Sequence, residues 1–198
     1  MAGTKKRSRG IAVIALVLAL AGAPLLLARA AQAQDMDDPL APARQGYVRC
    51  DEPDTVRRTC IFMETFRFER GGRITSHQTT LHRAEPLVVM EIETPITMRG
   101  AAFCDPFRES DVNAATFSVD GRAAGRDATA SLRAEVLARF SALMGRESCV
   151  LLAPAGEGRF TTSVTIDGAP YPRQASTMIW VRPEDGYRVL PPSAAADV

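Results

Sequence analysis

The residues of this chain that could do chemistry are its cysteines, two histidines, some paired carboxylates and a set of arginines. Cys50 and Cys60 stand in the stretch YVRCDEPDTVRRTCIF, on either side of a Pro53-Asp54 turn, and Cys104 and Cys149 lie farther along. Three roles are open to such pairs: metal ligands, a redox couple, or structural cross-links. Zinc ligands usually stand two to four residues apart, often with histidine, and neither pair has that spacing. A thioredoxin-type centre needs Cys-x-x-Cys, which is absent. Cross-links remain. Tyr47–Cys50 and Cys60–Phe62 read as two short strands whose hairpin would bring Cys50 and Cys60 together. Of the three possible connectivities, Cys50–Cys60 with Cys104–Cys149 is therefore expected. Loop closure would make the first bond worth about 3 kcal/mol and the second about 4 kcal/mol. On this reading Asp51, Glu52, Arg57 and Arg58 form the solvated tip of an entry hairpin.

The remaining candidates are weaker. His77 and His82 lie five positions apart on one expected strand, hence on opposite faces, where they do not share a metal. Ser76 and His77 are neighbours whose side chains point apart. Glu91 and Glu93 share a strand face about 7 Å apart, a spacing that suits acid–base work and equally a solvated face. Arg122, Arg126 and Arg173 lie near two Asp-Gly turns and offer contacts to an anion. Trp180, the single tryptophan, alternates with Met178 and Arg182 and belongs to the core or to a pocket wall. The chain has no GxSxG, HExxH, Walker or dinucleotide-binding pattern. No catalytic residue, cofactor or metal site is expected from these residues.

The elements that would position these residues are mostly strands. In residues 60–70, Phe62, Glu64, Phe66 and Phe68 alternate with Ile61, Met63, Thr65 and Arg67. Gly71-Gly72 then suggests a two-residue hairpin into residues 73–83. Residues 87–98 form another strand region, in which Pro95 marks an edge or a bend. Residues 115–121 and 160–168 each end in Asp-Gly. Both are followed by an arginine five residues after the glycine, an echo better explained by turn chemistry than by duplication. Residues 175–181 and 187–190 suggest a closing hairpin.

One helix is expected over about 128–144. Leu132, Val136, Phe140 and Leu143 form its apolar stripe, Asp127 or Thr129 caps it, and Gly145 ends it. The expected fold class is α+β: an antiparallel sheet of about six to eight strands with this amphipathic helix packed on it, stapled by the two disulfides.

The amino terminus carries Lys5, Lys6, Arg7 and Arg9. An uncharged apolar run from Ile11 to Ala28 and a small-residue Ala31-Gln32-Ala33 site follow. This is the layout of a cleaved signal peptide spanning 1–33. A flexible segment over 34–45, one globular domain over 46–191 and a disordered tail over 192–198 complete the expected organisation. Removing the leader takes five basic residues and no acid, leaving 19 basic against 23 acidic residues. A mildly acidic domain is a poor partner for nucleic acid. Both lysines lie in the leader, which excludes a lysine nucleophile or Schiff base from the mature chain. The destination is periplasmic or secreted, with no membrane span after cleavage.

Over Tyr47–Phe62 the pattern of aromatic-Val-x-Cys followed by Cys and an apolar residue resembles the opening of the invasion-associated locus B family of small exported bacterial proteins. Nothing about activity or site residues is carried over from that stretch. The sequence therefore reads as a small exported domain of the bacterial cell envelope. Its work is binding an unknown protein or small molecule rather than catalysis. The alternative is an envelope hydrolase using carboxylates or a histidine. Two ionisable side chains converging in a deep pocket with shifted pKa values would favour the enzyme.

Overall fold

A computed structural model of the chain describes residues 38–172 and 175–192. The expected leader over 1–33 lies outside the described residues, as do Arg173 and the tail beyond 192.

The α+β expectation is overturned. The structure is mostly β, and its sheet closes on itself. Eight strands form the closed wall: β1 (Val48–Asp51), β3 (Phe62–Phe68), β4 (Ile74–Arg83), β5 (Val88–Arg99), β6 (Ala102–Pro106), β9 (Glu147–Gly156), β10 (Arg159–Ile166) and β12 (Thr177–Val181). Each is antiparallel to the next in chain order, and β12 returns to pair with β1, Val48 opposite Val181 and Arg49 opposite Trp180. This is an up-and-down barrel. Alternating apolar and polar residues look the same in an open sheet and in a closed one, so the sequence pattern does not distinguish them. The closing hydrogen bonds join strands at opposite ends of the chain.

The wall alternates as a barrel requires. On β5, Ile92, Thr94 and Ile96 are buried while Glu91, Glu93 and Pro95 are exposed. This strand also holds the barrel's irregularity. Its first part, Val88–Glu91, pairs with β7 (Thr116–Val119), and its last part, Thr97–Arg99, pairs with β6. Residues 92–96 between these ladders are paired only to β4. Pro95 stands in this gap, a position where a residue without an N–H is tolerated.

The single covering helix is also corrected. The insertion between β6 and β9 holds α2 (Glu109–Ala114), β7, β8 (Arg122–Ala123) and α3 (Arg126–Arg139). The last helix stops at Phe140, and Ser141–Leu143 continues as a 3₁₀ turn. Its Leu132 and Val136 pack with Val112 of α2, Phe117 of β7 and Val88 and Ile92 of β5. The stripe read from the sequence thus meets a second helix and an added sheet layer as well as the barrel wall.

The opposite end of the barrel is filled by Leu40, Ile74, Ile96, Leu152 and Met178, with Phe66, Phe68 and Trp180 against them. Leu40 is fully buried and precedes α1 (Ala41–Arg44). The packed chain therefore begins ahead of residue 46. Burying a side chain such as Leu40 contributes about 1.5–3 kcal/mol.

Both disulfides form as paired above, Cys50–Cys60 and Cys104–Cys149. Cys50 and Cys60 lie in a small cluster with Val48 and Val181. There β2 (Thr59–Cys60) pairs in parallel with β13 (Arg188–Val189). The expected closing hairpin does not form, because β13 runs to β2 instead of back along β12. Cys104 and Cys149 face each other directly across β6 and β9.

The loop at Gly71-Gly72 is longer than two residues. The Glu69 N–H donates to the Arg73 carbonyl at 2.9 Å, and both glycines have positive φ. The two Asp-Gly turns share one construction. Asp120 accepts from the Leu87 N–H at 3.0 Å, and Asp167 accepts from the Glu147 N–H at 2.9 Å. Each aspartate N–H also donates back to the same residue's carbonyl. Left-handed φ at Asp120, Gly121, Asp167 and Gly168 is the conformation that Asp-Gly favours, so turn chemistry accounts for the echo.

Candidate ligand site inside the barrel

The barrel interior is packed around Leu40, Ile74, Ile96 and Met178 and holds a cavity elsewhere. A cavity of about 530 Å³ lies between the middle of the barrel and the α2–α3 insertion. Its apolar wall includes Phe62, Met90, Ile92, Phe103, Val136 and Val150.

Its polar part begins on β1. Alternation turns Arg49 and Asp51 inward, and each is only 6% exposed. The expectation that Asp51 sits at a wet hairpin tip is thus wrong, although Glu52, Arg57 and Arg58 are exposed. Arg49 stands opposite Glu64 on β3, Glu64 opposite Gln78 on β4, and Gln78 opposite Ile92 on β5. The Arg49 guanidinium donates from Nε and Nη2 to Asp51 at 2.7 and 2.6 Å, and from Nη1 to Glu64 at 2.9 Å. Ser76 and Gln78 also donate to Glu64. Ser176 donates to Asp51 at 2.8 Å, and its hydroxyl meets Thr162 at 2.9 Å. The network is continuous, as a buried charge group must be to offset its desolvation.

Electrostatics follow from this crowding. Burial alone would lower the Arg49 pKa, but Asp51 and Glu64 raise it above its ordinary value. Burial raises Glu64 despite Arg49 and Ser76, which pull it down. Asp105, on β6, is pushed up to about 7, first by desolvation and then by the Glu64 charge, with Arg49 opposing. Among the described residues no side chain hydrogen-bonds its carboxylate. Thr94 lines the same cavity at 6% exposure, and its hydroxyl has no partner among the described residues.

The residues singled out from the sequence are distributed differently. His77 and Glu91 are on the outer face, 4.0 Å apart and both exposed, and Glu93 is exposed beside Arg67. His82 does line the cavity, where its Nε2 lies 3.4 Å from Glu135 of α3. Arg83 also donates to Glu135, at 2.6 Å, and these bonds hold that carboxylate below its usual range. Arg122 and Arg126 are exposed and do not line the cavity. Trp180 packs inside the barrel against Phe66, with ring centroids 6.4 Å apart. Glu147 lies near Cys104 and Cys149, but both sulfurs are in the disulfide and the carboxylate pairs with Arg99 at 2.9 Å. That trio offers no thiolate to a metal.

Sequence reasoning did not pick out Arg49, Asp51, Glu64, Thr94 or Asp105 as site residues. One signal was available. Glu64 alternates with Phe62, Phe66 and Phe68, and a carboxylate on an otherwise aromatic strand face is a buried charge in search of a partner.

Fold and site together define a closed up-and-down antiparallel barrel with an internal, partly charged cavity. No known family's model matches the chain, nor does any curated protein or solved structure. The two disulfides fit an extracellular or periplasmic protein. Among the described residues no helix is long and apolar enough to cross a membrane.

Proposed function

We propose that this chain is an exported binding domain, periplasmic or secreted, that holds one small molecule inside its barrel. The observation that carries this reading is the cavity of about 530 Å³ in a closed eight-stranded wall. A barrel of this strand number has an interior that either fills with side chains or holds one small ligand. Here part of the interior is filled, and the cavity is lined by apolar side chains and a few convergent polar groups, the usual make-up of a ligand pocket. The two disulfides and the signal-like leader support the exported address.

A hydrolase is the second reading, favoured by the raised pKa of both Glu64 and Asp105 in one cavity. Against it, Glu64 is held by Arg49, Ser76 and Gln78, which leaves Asp105 as the one carboxylate of the pair open to a ligand. A single open carboxylate without a positioned nucleophile is an anchor.

Titration with a neutral apolar fluorophore such as N-phenyl-1-naphthylamine tests the binding reading. One saturable site per chain is expected, with uptake abolished in Ile92→Trp, which fills the cavity. Absence of saturable uptake by the unsubstituted protein would overturn it.

A further inference from the structure

Resting on that reading, we infer that the ligand is an amphipathic cation: an apolar chain or ring bearing a protonated amine, seated with the amine against Asp105 and the Thr94 hydroxyl. The inner polar part of the cavity holds Asp51, Glu64 and Asp105 against one guanidinium, Arg49. That guanidinium already donates from Nε, Nη1 and Nη2 to carboxylates. An anionic head placed there would meet three carboxylates and a cation already paired twice. An ammonium head would meet an open carboxylate and make a charge-assisted hydrogen bond in a low-dielectric site.

Thr94 adds a second polar group open to a ligand, one that can accept from an ammonium. Its buried hydroxyl has no partner among the described residues, a deficit that costs free energy unless a ligand supplies one. It lies in the 92–96 gap of β5, where the wall has no second ladder. Two polar groups beyond the inner cluster already have partners: Arg108 pairs with Asp111 at 2.9 Å, and the His82 Nε2 lies 3.4 Å from Glu135. Arg139 of α3 lines the cavity and is exposed, with no carboxylate partner among the described residues. It is the group that an opposite arrangement, a carboxylate head at the helical side, would use.

Decylamine, decanol and decanoate share one chain and differ in head group, and their affinities at pH 7.5 discriminate. The expected order places decylamine about tenfold or more tighter than decanol, the margin of one charge-assisted hydrogen bond. Decanoate should be weakest. In Asp105→Asn the amine-to-alcohol ratio should fall to about one, while Thr94→Val should weaken the amine and the alcohol together and leave the ratio near its original value. Equal affinities, or decanoate binding tightest, would overturn the inference and leave the small-molecule reading standing. Failure of all three ligands to bind would overturn both. The comparison on the unsubstituted protein needs no variant to fold.

Discussion

Arg49 on β1 and Glu64 on β3 stand directly opposite one another and meet at 2.9 Å inside the barrel, with the carboxylate only 2% exposed. The pair links the first strand of the barrel to the second, and through Asp51, Ser176 and Thr162 the same network reaches the last two. Removing one member leaves the others buried and uncompensated, which is more damaging than replacing the whole group by apolar residues.

Arg49→Met is therefore expected to destabilise the fold by about 3–5 kcal/mol at pH 7. The loss should shrink as the pH falls, because burial already raises the Glu64 pKa and its protonation removes an uncompensated buried charge. Urea unfolding followed by Trp180 emission measures both. Trp180 is the one tryptophan and sits in the strand register opposite Arg49. A loss under 1 kcal/mol would mean that the pair is peripheral to the fold.

Asp105 gives a pH dependence of definite sign. Its folded pKa of about 7 lies above its ordinary 3.8, so the folded protein keeps a proton that the unfolded chain releases. The resulting stability is present below about pH 4 and is lost as the pH rises towards 7. Asp105→Asn keeps the neutral shape without the titration. It should flatten that decline and leave the variant more stable than the parent at pH 8, by on the order of 1–2 kcal/mol after allowing for water in the cavity. Unfolding curves at pH 4.5, 6 and 8 check this, and parallel pH profiles for the two proteins would contradict it.

The disulfides should differ in weight. Replacing both Cys50 and Cys60 with alanine is expected to cost about 3 kcal/mol, and the Cys104/Cys149 pair about 4 kcal/mol because its loop is longer. Peptide mapping of the purified protein under non-reducing conditions should show both cross-linked peptides and no free thiol. Alkylation of any of the four cysteines in that material would count against the pairing.

What the sequence disclosed and what it withheld follow a physical line. The pairing of Cys50 with Cys60 was legible because only ten residues and a turn separate them, although Cys60 sits on β2, which pairs with β13 rather than with β1. The Asp-Gly turns were legible because local backbone chemistry sets them. Closure of the barrel was not, since it depends on Val48 meeting Val181 across the length of the chain. The site failed for the same reason. Arg49 and Glu64 meet across the neighbouring strands β1 and β3, but Asp105, on β6, comes to face them only once the sheet curls into a barrel. Asp51 looked like a turn residue because its neighbours Glu52 and Asp54 are, yet alternation along β1 turns it inward to Arg49. The helix stripe was read correctly as apolar, but its partners, Val112 and Phe117, lie in an insertion whose packing no local pattern announces.

The most direct measurement is a crystal structure of the protein grown with decylamine. One ligand molecule is predicted inside the barrel, its chain between Met90, Ile92 and Val136 and its nitrogen within hydrogen-bond distance of the Asp105 carboxylate. A barrel interior holding only water, or closed by its own side chains with the amine bound elsewhere, would contradict the account.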